Sequence, residues 1–250
     1  MSVEDPTCEV TYPLDLLAGS RSKWAQSAGL RTVYASIYHR VRQAATGTRW
    51  LELGSGIGVA REFLPGVVTS DLVQTEYVDR AVDAYAIPCE GWTTIFALDV
   101  FHHLRQPQRF LAAAAAALEP GGRLILAEPA ATPFGRLFYR LCHHEPMQPK
   151  LVQPPYEFPL EADGSFANMA MASVLLAGTP SQVEAVCGPQ WKRIAVDYHD
   201  WLAYPLTGGF SQPQLLPTFC LKALLALEQC LPQWLMRRLG LRVTVVLERR

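Results

Sequence analysis

The sequence predicts an α/β fold, with a mostly parallel sheet covered by helices on both faces. Three observations point there. Short apolar runs between residues 49 and 129 each end at a glycine or an acid. They are read as alternating with helical segments, the pattern of parallel strands joined by crossovers. The stretch "WLELGSGIGVA", Trp50 to Ala60, sets three glycines directly behind the first run, where open α/β sheets place their ligands.

The bulk properties bound the rest. A chain of 250 residues, half of them apolar, is long enough for one large domain with an elaboration. The net charge of −1 argues against general affinity for nucleic acid, and none is expected as a partner. Arg237, Arg238, Arg242, Arg249 and Arg250 are read as a solvated basic face. The six cysteines are scattered with no C-x-x-C pair. That argues against a zinc site and a disulfide framework and favours a reducing, cytoplasmic location. The opening "MSVEDPTCEV" does not resemble a signal peptide, and no apolar window is long enough for a membrane span.

The elements follow in order. The first twenty residues read as irregular. From Lys23 to Ala45, Trp24, Ala28, Val33, Ile37 and Val41 recur near helical spacing, predicting one amphipathic helix that Gly47 ends. "TRWLEL" is the first strand, "GVVTSDL" the second, "YVDRAVDA" the third and "TTIFALDV" the fourth. "PQRFLAAAAAALEPGG" predicts a helix opened by Pro107 and closed by Pro120-Gly121-Gly122, with its alanines packed close to the sheet. "RLILAEP" is the fifth strand. Residues 131–190 are proline-rich, with a helix at "PFGRLFYRLCHH". "WKRIAVDYHDW" reads as a strand, the apolar segment from Gln214 to Gly240 as one or two helices broken at Pro232, and "LRVTVVLERR" as the last strand.

Gly54, Gly56 and Gly58 let the backbone take positive φ and approach a ligand closely. A dinucleotide loop would read G-x-G-x-x-G, but its third glycine position is occupied here by Val59. The pattern is instead E-x-G-x-G-x-G beginning at Glu52. Asp71, Asp83 and Asp99 end the next three strands. A diphosphate wants backbone N–H groups rather than a crowd of acids. Ionised acceptors instead suit a ligand that offers hydroxyl or amino donors or carries a positive charge.

The order Glu52 to Gly58, "SDL", "DAYAIP", "ALDVFHHL", "LEPGGRLILAEP" resembles the class I S-adenosylmethionine-dependent methyltransferases, in their small-molecule branch. The resemblance covers about Arg49 to Pro129. It implies a Rossmann-like, seven-stranded, mostly parallel sheet with a helical elaboration at the acceptor site, and an antiparallel last strand near its edge. It divides the chain into a helical N-terminal cover, 1–48, and a methyltransferase domain, 49–250, with insertions at about 130–190 and 202–238.

By resemblance, Gly54, Ser55, Gly56 and Gly58 pass under the methionine and ribose of S-adenosyl-L-methionine, and Glu52 holds the loop or the cofactor's amino group. Asp71, with Leu72 beside it, accepts from the ribose hydroxyls. Asp83 and Ala84 meet the adenine amino group, Ile87 flanks the ring, and Leu98 and Asp99 contact the methionine end. One departure stands out: only twelve residues separate Asp71 from Asp83, so the usual intervening helix is short or missing.

Each sharper reading has a plainer one beside it. His102 and His103, and His144 within His143-His144-Glu145, are candidates for a general base, or else structural and solvated. Asp99 is a site residue or a helix N-cap. Of Tyr139, Tyr156, Phe158, Trp201, Tyr204 and Phe210, two or three are expected at an acceptor pocket and the others in the core. The C-terminal apolar helix is buried in a core or dimer interface, or lies on a membrane surface with Lys222, Arg237 and Arg238 near headgroups. The expected reaction is methyl transfer to a small or moderately apolar acceptor at oxygen, by a monomer or homodimer. The alternatives are a lipid-linked acceptor at a membrane, an NAD-dependent oxidoreductase, or a non-catalytic binding protein.

Overall fold

A computed structural model of the protein describes residues 14–159 and 166–250. Seven strands form one sheet: β1 (Trp50–Leu53), β2 (Val68–Asp71), β3 (Arg80–Ala81), β4 (Trp92–Leu98), β5 (Leu118–Pro129), β6 (Trp191–His199) and β7 (Arg242–Arg249). Their order is β3-β2-β1-β4-β5-β7-β6. The first five run parallel, and β7 inserts antiparallel between β5 and β6. Starting at β1, the chain moves outward to β3 and then returns to β4. The switch point therefore lies between β1 and β4, at the carboxyl end of the glycine-bearing strand.

Two helices precede the sheet, α1 (Leu14–Gln26) and α2 (Ala28–Ala44). The single helix predicted from Lys23 is thus divided, and helical structure begins within the stretch read as irregular; residues 1–13 lie outside the described residues. The division is made by Ser27. Its backbone is extended, at φ −100° and ψ 96°, and its hydroxyl accepts from the Leu30 N–H at the start of α2. Leu30, Tyr34, Tyr38 and Val41 of α2 pack with Ile57, Val59, Leu64, Phe96 and Ile125 on one side of the sheet.

That packing corrects a second expectation. Strands and helices do not alternate through the first half of the sheet: no α-helix occurs between β1 and β4, only a 3-10 turn at Val59–Glu62. α2 supplies the cover that crossover helices would otherwise provide. The missing helix between β2 and β3 is one that the short Asp71–Asp83 spacing foretells. β3 itself is only two residues long, so Asp83 lies in the turn beyond it.

The opposite face is built from α3 (Pro107–Ala117), α5 (Met171–Leu175) and α6 (Pro180–Cys187), packed on Leu51, Leu53, Ile95, Leu124, Leu126, Val243 and Val245. Ala114, Ala115 and Ala117 are buried in that layer, so α3 lies close against its neighbours. It ends at Ala117 rather than at Pro120–Gly122, because Leu118 already pairs with Trp92 and the register shifts across the turn that follows.

The additions after β5 are α4 (Pro133–Cys142), α7 (Ala203–Leu206), α8 (Thr218–Gln229) and α9 (Gln233–Leu239), with Pro232 separating the last two. No described helix is long and apolar enough to cross a membrane. Of the six cysteines, Cys8 lies outside the described residues and the other five are free.

Candidate active site

The three glycines of the loop all take positive φ, 66°, 52° and 65° at Gly54, Gly56 and Gly58, a region closed to most side chains. They differ in what surrounds them. A Cβ on Gly54 would overlap the Val100 side chain, and one on Gly58 the Tyr77 carbonyl. On Gly56 it would meet nothing within 4 Å. Gly54 and Gly58 are therefore required by the protein's own packing, whereas Gly56 borders open space.

Neighbouring strands pin this loop. Gly56 N–H donates to Asp71 Oδ2 at 2.8 Å, and Ser55 N–H to the Ser70 carbonyl at 2.8 Å. The Ser55 hydroxyl accepts from Ser70 N–H. The other oxygen of Asp71 accepts from Leu72 N–H at 2.7 Å, so this carboxylate, expected to meet a ribose, also fastens the loop to β2. The Leu72 side chain is exposed.

Glu52, 2% exposed, receives the Tyr38 hydroxyl on Oε1 at 2.9 Å, while its Oε2 is buried with no hydrogen-bond partner. Burial pushes the Glu52 carboxyl up to about 7, against the lowering pull of the Ser55 and Tyr38 hydroxyls. An unsatisfied buried carboxylate oxygen beside an open glycine loop suits a cationic ligand group.

The order β3-β2-β1-β4 places Asp83, Asp71, the glycine loop and Asp99 behind four adjacent strands. Asp83 is exposed and caps its own turn through the Tyr85 N–H. Ala84 is half-buried, and Ile87 belongs to the core. Leu98 ends β4, and Asp99 follows with a φ of 57°.

Asp99 is not the N-cap of the segment after it. The N–H groups of Val100 and Phe101 are taken by Glu128 Oε1, at 2.9 and 2.8 Å, from the end of β5. Asp99 instead pairs with Arg242 on β7, whose Nε reaches Asp200 at 3.3 Å. Arg242 is only 5% exposed, which corrects its assignment to a solvated basic face. Its strand lies inside the sheet, so its side chain turns inward to balance two carboxylates.

A cavity of about 530 Å³ opens beside this pair. Tyr139, Tyr204 and Phe210 line it, three of the six aromatics considered, together with Phe138 of α4. Tyr156 and Phe158 pack with the core, and Trp201 meets Phe134 edge-on. His102, His103 and His144 form the polar wall with Glu145.

His102 is 3% exposed, with Nδ1 2.7 Å from Glu128 Oε2 and Nε2 3.3 Å from Glu145 Oε2. Burial opposes its charge, but the hydrogen bond and charge of Glu128, with Glu145, raise it to about 10. Glu145 is held down to about 2 by His102, His103 and His143 despite burial. His103 is lowered by burial and by the charge of His102. The His144 side chain is 87% exposed at the rim.

Glu128 and Arg242 were missed as site residues. Glu128 carried a signal, an acid at the end of an apolar strand. Arg242 carried none, since its partners lie 143 and 42 positions away.

Comparison with known proteins agrees with this architecture. The family profile described as "Methyltransferase domain" matches residues 27–172. A Thermotoga maritima structure described as a SAM-dependent methyltransferase, possible histamine N-methyltransferase, is 13% identical over 94% of this chain and 98% of that one, with a TM-score of 0.54. Looser likenesses run to an Archaeoglobus fulgidus SAM-dependent methyltransferase, 11% identical over 88% and 94% of the chains at a TM-score of 0.48. Another is the Burkholderia thailandensis 1,6-didemethyltoxoflavin-N1-methyltransferase, 14% identical over 95% and 84% at 0.46. No curated protein matches in sequence. The profile spans more than half of the chain, which favours methyl transfer over the oxidoreductase alternative: the protein belongs to the methyltransferase domain family, as an S-adenosylmethionine-dependent methyltransferase.

Proposed function

We propose that the protein methylates an oxygen on a small, moderately apolar acceptor bound in the cavity beside Asp99. The observation that carries this reading is the composition of that cavity: Phe138, Tyr139, Tyr204 and Phe210 line it together with His102, His103, His143, His144 and Glu145. Such a space suits an apolar body with one polar end, and its volume of about 530 Å³ is that of a small-molecule site.

S-adenosylmethionine supplies an already activated methyl group. Gly54, Ser55, Gly56 and Gly58 form the floor beneath it, with Gly56 offering the close approach. Glu52 would offer its unpartnered Oε2 to the amino group, and the Asp71 carboxylate would meet the ribose hydroxyls. Leu72, Asp83 and Ala84 would border the adenine side, with Leu98 and Asp99 at the methionine end. The protein's work is then alignment and exclusion of water. α4 and the segment 202–238 close the acceptor end, and a hydroxyl's proton leaves toward the histidine–carboxylate wall.

The test is transfer of label from isotopic S-adenosylmethionine into matched phenols and anilines. Labelled ethers support the reading, whereas label in the anilines alone overturns the choice of oxygen. Calorimetry with S-adenosylhomocysteine checks the cofactor separately, and absence of heat contradicts the loop assignment.

A lipid-linked acceptor is a second reading, favoured by one observation. Leu215 on the cavity wall is exposed, as are Phe219 (74%) and Trp234 (61%) on the C-terminal helices, and Arg237 and Arg238 lie close by in sequence. Sedimentation with anionic vesicles separates the readings: the lipid reading expects cosedimentation that Trp234→Ala and Phe219→Ala reduce, and protein left in the supernatant refutes it.

A further inference from the structure

We propose that His102, His103 and Glu145 form a binding site for one first-row divalent transition-metal ion of the zinc class, set in the wall of the acceptor cavity. Two histidines and a carboxylate are a ligand set that zinc accepts, with a further position left for water or substrate. The nearest ligand atoms of the three side chains all lie within 4.8 Å of one another. His102 Nε2 is 3.3 Å from Glu145 Oε2, and His103 Nε2 is 3.7 Å from Glu145 Oε1. Tetrahedral ligands on bonds of about 2.1 Å stand about 3.4 Å apart, and the two nitrogen–oxygen separations already lie near that value.

The orientation of the rings is the independent observation. Metal-bound histidines characteristically donate their second ring nitrogen to a carboxylate or a backbone carbonyl, which fixes the tautomer and aims the first nitrogen. Both rings have such an anchor. His102 Nδ1 meets Glu128 Oε2 at 2.7 Å, and His103 Nδ1 meets the Phe166 carbonyl at 3.1 Å. Both Nε2 atoms are thereby turned to the same carboxylate. Glu128 is held in turn by the N–H groups of Val100 and Phe101. Charge agrees as well: Glu128 and Glu145 bring two carboxylates to the site, within 2.7 and 3.3 Å of His102.

The scattered cysteines have no bearing on this site, since its ligands are nitrogen and oxygen. His102 and His103 are adjacent in sequence, whereas Glu145 arrives from the chain beyond α4, so no short spacing motif announces the cluster. The cavity is shared with the proposed acceptor site. On that reading, which this role rests on, the open position takes the acceptor oxygen and makes its proton easier to lose, to the exposed His144 or to water at the rim rather than to the metal ligands.

Metal binding itself is tested without turnover. Tag-free full-length protein is titrated with Co2+ as a spectroscopic stand-in, then with Zn2+ in competition. The expected result is one Co2+ per chain, with visible bands of a four- or five-coordinate ion that Zn2+ abolishes. His103→Ala and Glu145→Gln, both at partly exposed positions, should each weaken binding at least tenfold. Glu128→Gln, which keeps an oxygen for the backbone N–H groups, should weaken it by about 10- to 100-fold. Urea midpoints and S-adenosylhomocysteine binding, followed on the same samples, show that each variant is folded and keep this test apart from that of the methyltransferase reading. Less than one Co2+ per chain in the parent protein, or unchanged affinity in both His103→Ala and Glu145→Gln, overturns the site.

Discussion

The two sides of the cleft are built in different ways. On the glycine-loop side, the polar contacts join residues near one another in sequence: Tyr38 to Glu52, Gly56 to Asp71 and Ser55 to Ser70 are 14 or 15 positions apart. On the acceptor side, Asp99 is met by Arg242 from 143 positions away, and Glu128 reaches back 26 to His102. The first side is held by backbone conformation and short closures. The second exists only once β5 and β7 are paired, because the charges that balance one another arrive from different strands. A disturbance at Gly56 or Asp71 on the first side should therefore act on the ligand, and one at Arg242 on the second side on the fold.

Arg242→Met is the strongest test of that contrast. It leaves Asp99 without its partner and Asp200 with His199 alone beside it, 3.2 Å away, and removing one member of a buried ion pair costs about 3–5 kcal/mol. Urea unfolding should show the loss directly. A variant as stable as the parent would mean that the acceptor side does not depend on this long-range charge balance.

Glu52 probes the loop side through pH. Its carboxyl is raised from 4.5 to about 7 in the folded protein, so the folded state holds the proton more tightly than the unfolded chain. The associated stability is fully present below about pH 4.5 and is lost as the pH rises through about 7, by roughly 3 kcal/mol from the 1.36 kcal/mol per unit. Glu52→Gln should flatten this decline while the parent keeps it. Equal slopes for the two proteins across that window would remove Glu52 as its source. Cofactor binding to the parent should also release a proton near neutral pH, seen in calorimetry as heat that varies with the buffer.

Asp71→Ala should have the smallest effect, and it should fall on binding rather than on the fold. Loss of a charged acceptor weakens S-adenosylhomocysteine binding by about 1.5–3 kcal/mol, while Gly54 and Gly58 keep the loop in place. Gly56→Val, which introduces a side chain into open space at a positive φ, should obstruct the same ligand. Unchanged affinity in a folded Asp71→Ala protein would sharpen the comparison by making Asp71 purely a fastening for the loop.

The amino-acid sequence by itself determined the glycine loop, the acids at successive strand ends and most strands, because each depends on local backbone preference or two-residue alternation. Pro232 as a helix break and the short link from Asp71 to Asp83 were equally legible. Tertiary structure alone decided that α2 would cover the sheet where crossover helices are absent, since any amphipathic face can pack on any apolar surface of matching shape. It also decided that Arg242 would leave the basic C-terminal group for the interior, and that Glu128 rather than Asp99 would bind the N–H groups after β4. These outcomes depend on which strands become neighbours. Strand pairing is a property of the assembled sheet, and no local stretch of chain encodes it alone.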